Sequence, residues 1–159
     1  MYLYKGALRK LILKFKYLDR AFLAKDFGAQ MANKFKELPF YDKTDCIIPV
    51  PLNIIRRIKR GYNQAEVLSR EISKLSGIPV FSNILYRKKM TKPQFQLSKE
   101  ERAKNIKNSF LVKNGELTRK KNILLVDDIV TTGATVSACA AVLKKFGAKK
   151  VYALSLARG

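Results

Sequence analysis

The chain of 159 residues contains no histidine and no tryptophan, and only two of its residues are cysteines. Without histidine, and with Cys46 and Cys139 far apart in the sequence, the chain lacks the ligands for an internal zinc site. We therefore expect both thiols to be buried and reduced. No run of about 18 apolar residues occurs and the N-terminal residues soon become charged, so we expect no membrane insertion, no secretory signal and a cytoplasmic protein.

Acidic residues are also scarce, because 12 Asp and Glu face 33 Lys and Arg and leave a net charge of +21. Such an excess creates a positive field that attracts polyanions, of which nucleic acid is the common one. The basic runs 56–60 and 87–89 follow predicted strands and should lie at the carboxyl edge of the sheet. The run 119–121 precedes a predicted strand and should lie at the opposite edge. A merely solvated, lysine-rich surface remains the alternative.

One stretch, from Ile123 to Thr135, carries most of the functional information. Its apolar residues 123–126 predict a buried parallel strand, and Asp127 and Asp128 follow at the carboxyl edge, where open α/β sheets bind ligands. A helix should begin near Gly133, since apolar residues then recur at helical spacing. The loop between strand and helix contributes the five residues Thr131, Thr132, Gly133, Ala134 and Thr135.

The chemistry of this stretch fits a ribose phosphate. Free N–H groups at a helix start hold phosphate, and threonine hydroxyls add donors. Two carboxylates would repel that phosphate unless a neutral group lay between, and a ribose diol donating to Asp127 and Asp128 meets this need. The alternative is a solvated strand end followed by an ordinary capped turn.

Strand, loop and helix recur earlier in the chain. Residues 45–51 predict a strand stopped by prolines, 52–63 a basic loop, and 64–75 a helix. The loop is a candidate for holding a pyrophosphate, although an exposed basic connection is the alternative. Residues 88–97 predict a mobile basic loop that is either a lid or a plain surface loop, and 99–107 a helix with a capping box.

The remaining pattern predicts one α/β domain over 1–159, with a mostly parallel sheet flanked by helices. Residues 6–16 and 21–35 have helical periodicity and form an N-terminal segment, 1–40, that should pack on the domain. Further extended segments are expected at 78–81, 84–87, 109–112 and 151–157, and a polar turn at 113–121.

The string from Ile123 to Thr135 resembles the phosphoribosyl pyrophosphate (PRPP) motif of type I phosphoribosyltransferases. Together with four further segments it resembles the ComF family, whose members have that fold and are associated with DNA uptake in natural transformation. These segments are Pro49–Leu52, Arg60–Ala65, Thr91–Gln94 and Glu101–Asn105 with Phe110. Many members begin with a four-cysteine zinc module, which is missing from this sequence.

The resemblance implies a role for each predicted site residue. Asp127 and Asp128 would be the ribose-binding and catalytic acids, and Thr131 to Thr135 the 5′-phosphate loop. The pyrophosphate loop would include Pro51, Leu52, Arg57 and Arg60, and the flexible loop would bring Arg87, Lys92 and Gln94 to the phosphates. No protein metal ligand is implied, and Mg²⁺ would arrive with PRPP.

Three functions are compatible with these features. The first is a protein that binds PRPP or ribose 5-phosphate and single-stranded DNA, works with other DNA-uptake proteins, and stacks bases on Tyr62 or Phe95. The second is an active phosphoribosyltransferase acting on an unidentified base. The third is a ligand-sensing regulator on the same fold, for which no helix-turn-helix signal is found.

Overall fold

A computed structural model describes residues 2–17, 22–88 and 109–159. The strands are β1 (Tyr2–Leu3), β2 (Cys46–Pro49), β3 (Leu85–Arg87), β4 (Phe110–Val112), β5 (Asn122–Val130) and β6 (Lys150–Arg158). The helices are α1 (Gly6–Tyr17), α2 (Leu23–Lys36), α3 (Ile54–Arg60), α4 (Gln64–Ser76) and α5 (Ala134–Lys145), with a 3₁₀ helix at Gly115–Thr118.

The main sheet is parallel and has the strand order β1-β6-β5-β2. Its centre is β5, which pairs with β2 from Cys46 opposite Ile123 and with β6 from Asn122 opposite Lys150. Because all four strands run the same way, the residues after β2 and β5 meet at one edge. The predicted α/β fold with a mostly parallel sheet and two N-terminal helices is confirmed.

Strand alternation divides the core between the two faces of the sheet. Leu124 and Val126 face a cluster that includes buried residues of α1, α2 and α4. Ile123 and Leu125 face the other cluster, to which α5 and the antiparallel pair β3 and β4 contribute. The N-terminal helices therefore share a core with the sheet, and α2 packs so closely on α4 that a Cβ at Gly28 would lie 2.4 Å from the Glu71 Cβ.

The predicted loop 52–63 is wrong in one respect, because it contains the helix α3. Asn53 caps this helix by accepting the Ile55 N–H at 3.0 Å, and Gly61 ends it at φ +78°. Its isoleucines are exposed, so no buried stripe signals the helix in the sequence.

Other expectations are met in part. Residues 78–81 form only a single parallel bridge, between Val80 and Ile47, and the short β1 had no sequence signal. The predicted helix 99–107, its capping box and nearly all of the loop 88–97 lie outside the described residues. Cys46 and Cys139 are free and buried, as predicted. No helix in the described part of the chain is both long and apolar enough to cross a bilayer.

Candidate functional site

A cleft of about 340 Å³ opens at the carboxyl edge of the sheet, between the ends of β2 and β5. The loop after β5 forms an adjoining hollow of about 40 Å³, and both spaces are lined by Asp127, Thr131 and Thr135. The residues that line the cleft come from the N-terminal segment, the β2–α3–α4 region, β3, β5, the loop after β5 and the start of α5. They are Tyr4, Val50, Pro51, Leu52, Arg56, Arg60, Asn63, Gln64, Ala65, Arg87, Asp127, Asp128, Ile129, Thr131 and Thr135.

The two acids form one wall of the cleft. β5 continues through them to Val130, so they lie within the strand rather than after it. Asp127 Oδ1 accepts the Asp128 N–H and Asp128 Oδ1 accepts the Ile129 N–H, both at 2.8 Å. These bonds to their own backbone orient two half-buried carboxylates beside the open space. Carboxylates in such a position are acceptors for hydroxyl groups or for cations.

The glycine-led loop provides hydrogen-bond donors. Gly133 adopts φ +76°, a conformation that disfavours any side chain, and α5 begins at the next residue. Among the described residues, no protein acceptor takes the N–H groups of Thr132, Gly133 or Thr135, and the Ala134 N–H has only a long contact of 3.4 Å to Thr132 Oγ1. These N–H groups lie at the positive end of the α5 dipole, so the hollow is suited to an anion.

The opposite wall is built from the sequence Arg60–Ala65. Asn63 has two bonds: its Oδ1 accepts the Ala65 N–H at 3.2 Å, which caps α4, and its Nδ2 donates to the Val50 carbonyl at 3.1 Å, which ties α4 to the end of β2. Gln64 Oε1 accepts from the Arg60 guanidinium at 3.1 Å. The motif thus positions a cation and a carboxamide at the cleft.

Arg87 reaches the cleft from β3, with its guanidinium 5.6 Å from the centre of the Phe110 ring. Burial lowers the pKa of Arg87 below its ordinary value and the nearby Arg56 lowers it further, while Cys139 and Asp127 act in the opposite direction. Burial, together with Asp127, raises the pKa of the Cys139 thiol, so that cysteine is a neutral part of the core next to the site.

The structure brings most of the predicted site residues together. Pro51, Leu52, Arg60, Arg87, Asp127, Asp128, Thr131 and Thr135 line the cleft, and Thr132, Gly133 and Ala134 line the adjoining hollow. Arg57 is not among the lining residues, and its guanidinium lies 3.6 Å from the Glu66 carboxylate instead. Lys92 and Gln94 lie outside the described residues, as does Phe95.

The sequence assigns no site role to the lining residues Tyr4, Asn63 and Gln64, and it places Arg56 only as one of several basic residues in the predicted pyrophosphate loop 52–63. Arg56 had a signal, because positions 56 and 60 share one face if the segment is helical. Tyr62 was a candidate for base stacking. Its ring packs on Phe15 at 5.9 Å and its hydroxyl donates to the Phe15 carbonyl, so it anchors α1.

The site can bind a molecule that carries both hydroxyl and anionic groups, because acceptors form one wall and cations and N–H donors form the others. The described residues contain no group of three or more Asp, Glu, His or Cys able to hold a metal ion. Any Mg²⁺ at this site would therefore need ligand oxygens in addition to the carboxylates, which is how Mg²⁺ usually binds with phosphates.

Fold and site together define a phosphoribosyl transferase domain, and the family model of that description matches residues 26–159. The chain is 40% identical over 116 residues to "Competence protein F" of Haemophilus influenzae, a match that covers 72% of this chain and 50% of that protein. Over 167 residues it is 29% identical to "Competence protein ComFC" of Streptococcus pneumoniae, covering 99% of this chain and 66% of that protein. The chain belongs to the ComF family of phosphoribosyltransferase-like proteins.

The fold is also similar to that of known enzymes. A solved structure described as the allosteric regulatory enzyme of purine biosynthesis superimposes with a TM-score of 0.60 at 17% identity, covering 91% of this chain and 30% of that one. This likeness concerns the fold alone. The chain spans about half the length of the first curated relative.

Proposed function

We propose that this chain binds PRPP or ribose 5-phosphate and takes part, with other DNA-uptake proteins, in the handling of single-stranded DNA in the cytoplasm during natural transformation. The ligand part rests on one observation. Two oriented carboxylates and three arginines line the cleft, and the adjoining hollow is formed by a loop whose N–H groups have no acceptor among the described residues at Thr132, Gly133 and Thr135.

The proposed pose follows from matching charges. The ribose diol donates to Asp127 and Asp128, and the 5′-phosphate accepts from the N–H groups of the loop 131–135. The pyrophosphate of PRPP then lies towards Arg56, Arg60 and Arg87. Bound Mg²⁺ would neutralise part of the pyrophosphate charge, and Asp127 and Asp128 are the carboxylates near enough to the cleft to assist in holding it.

Turnover is a second candidate, favoured by the same wall of arginines. Cations that bind pyrophosphate in the ground state also stabilise its departure, and the two acids would steady the positive charge that develops on the ribose. Incubation with PRPP, Mg²⁺ and a panel of bases, followed by a pyrophosphate assay, tests this candidate. Release that depends on one base supports a transferase, and no release with any base supports a binding protein.

The test of the ligand site is a thermal shift with PRPP and Mg²⁺. A ligand that binds only the folded state stabilises it by about 2.7 kcal/mol at a hundredfold excess over its Kd. We expect a raised midpoint in wild type and little or no rise in Asp128→Asn. Asp42→Asn is the matched control, since it removes the same charge from an exposed turn before β2. An unshifted wild type, or equal shifts in both variants, would overturn the proposal.

The DNA part rests on the charge of +21 and on the competence names of the relatives. Binding through phosphates releases counterions, so log affinity for single strands should fall linearly with log salt, with a slope of about −0.7 per phosphate contact. Fluorescence anisotropy with a labelled oligonucleotide between low and high salt measures this slope. Affinity that is unchanged across the series would contradict an electrostatic mode of binding.

A further inference from the structure

The buried amide of Gln64 is a feature that the proposed function does not use. The residue is only 2% exposed, it lines the cleft, and its Nε2 has no hydrogen-bond partner among the residues that the structure describes. Leaving a buried donor unpaired lowers the equilibrium constant for folding by a factor of about 5 to 150. Such a group in a cleft is therefore a sign that something else supplies the acceptor.

Buried donors without a hydrogen-bond partner are concentrated on residues that line the cleft. In the described part of the chain three buried side-chain nitrogen or oxygen atoms lack a partner, namely Gln64 Nε2, Arg87 Nε and Asn122 Oδ1. The two nitrogens belong to residues that line the same cleft, whereas Asn122 begins β5 at the other end of the sheet. Two donors on residues that line the cleft thus lack an acceptor.

The orientation of the Gln64 carboxamide is fixed by its neighbour. Its Oε1 accepts from Arg60 at 3.1 Å, and the reverse orientation would set the NH₂ group against a guanidinium that can only donate. The NH₂ group is therefore held away from Arg60. Gln64 also occupies the first position of α4, where the helix dipole favours negative charge.

We propose that Gln64 Nε2 binds an oxyanion carried on the anomeric carbon of the ribose phosphate, and that Gln64 is thereby a specificity residue for PRPP over ribose 5-phosphate. This inference rests on the proposed function, which supplies the ribose phosphate. A neutral donor suits the position, because a lysine buried as deeply beside Arg60 would suffer both desolvation and repulsion. The carboxamide contributes a hydrogen bond without either cost.

The experiment measures the Kd of PRPP and of ribose 5-phosphate, each with Mg²⁺, by isothermal titration calorimetry. Gln64→Met keeps the side-chain length and removes the donor, together with the Oε1 acceptor of the Arg60 guanidinium, and we expect PRPP affinity to fall about tenfold. Ribose 5-phosphate affinity should stay within about twofold of wild type, because that ligand has no charged group at the anomeric carbon. Gln64→Glu places a carboxylate against the oxyanion and should weaken PRPP further. Gln30→Met, an exposed glutamine on α2, is the control.

A second readout separates binding from a structural role. Gln64→Met removes the unpaired Nε2, which favours the folded state, and also the Oε1 bond to Arg60, which disfavours it, so the melting midpoint of the ligand-free protein should change little. Equal loss of both ligands, or no loss of PRPP affinity, would overturn the role of Gln64 while leaving the proposed function intact. A wild type that binds neither ligand overturns the proposed function and this inference together.

Discussion

Replacing Asn63 with alanine should destabilise the protein more than an ordinary helix cap would. The change removes the cap of α4, which costs about 1 kcal/mol. It also removes the Nδ2 bond to the Val50 carbonyl in a site where Asn63 is 8% exposed. Losing that bond and leaving a buried acceptor unpaired costs about 1–3 kcal/mol more. The expected loss in free energy of unfolding is therefore about 2–4 kcal/mol.

Asn53 offers a matched comparison within the same chain. It caps α3 through the same kind of bond, from its Oδ1 to the Ile55 N–H at 3.0 Å, but that bond is exposed. Asn53→Ala should therefore cost about 1 kcal/mol or less. The difference between the two variants isolates the tie between α4 and β2, since the capping terms cancel.

Urea unfolding followed by circular dichroism measures both variants against wild type. The PRPP affinity of Asn63→Ala should also fall, because Asn63 fixes Arg60 and Gln64 relative to the end of β2. Equal unfolding free energies for Asn63→Ala and Asn53→Ala would show that the bond to Val50 contributes nothing, and the reasoning about this wall of the cleft would be refuted.

Three further predictions follow from packing, titration and helix geometry. Gly28→Ala should lower the free energy of unfolding by about 1–3 kcal/mol in urea, since its Cβ would lie 2.4 Å from the Glu71 Cβ; a more stable variant would contradict this packing. Burial raises the pKa of Cys46 to about 11, so the stability that comes from keeping this thiol neutral is complete below about pH 9 and is lost as pH rises towards 11. The free energy of unfolding should therefore fall less steeply with pH in Cys46→Ala than in wild type over that range. Parallel curves of unfolding free energy against pH would refute the shift. Arg56→Gln should weaken PRPP binding about tenfold in calorimetry and Arg57→Gln should not, whereas equal effects would mean that α3 does not present Arg56 selectively.

Much of the fold follows from patterns that reflect burial. The run Ile123–Val126 is apolar on both faces because the sheet is covered on both sides, and that continuity predicts a central parallel strand. The helices α2 and α4 have apolar stripes that pack together and are equally readable. By contrast, α3 is held by its caps and exposes Ile54, Ile55 and Ile58, so no buried face marks it.

The part of the candidate site that could be predicted is the part whose residues are close together in the sequence. Asp127, Asp128 and the following loop are consecutive, so one motif places acids and anion-binding N–H groups at one sheet edge. The residues of the opposite wall come together only through the turn of α3 and the packing of α4 against the end of β2. A predicted loop gives no reason to distinguish Arg56 from Arg57. In the structure, the helical turn of α3 places Arg56 at the cleft and Arg57 beside Glu66. Gln64 is recognisable as a site residue only through its burial and its unpaired nitrogen.

The two proposed activities require different parts of the charge distribution. Asp127 and Asp128 favour a ligand with a free diol, which the sugar of DNA lacks because its 3′ oxygen is esterified and it has no 2′-hydroxyl. A DNA backbone in the cleft would place its phosphates near those carboxylates and would offer no hydroxyl group to donate a hydrogen bond to them. The net charge of +21 is spread far beyond the cleft, as in the basic run 119–121 that precedes β5. We therefore expect DNA to bind on the outer basic surface and the ribose phosphate to bind within the cleft, so that neither has to displace the other.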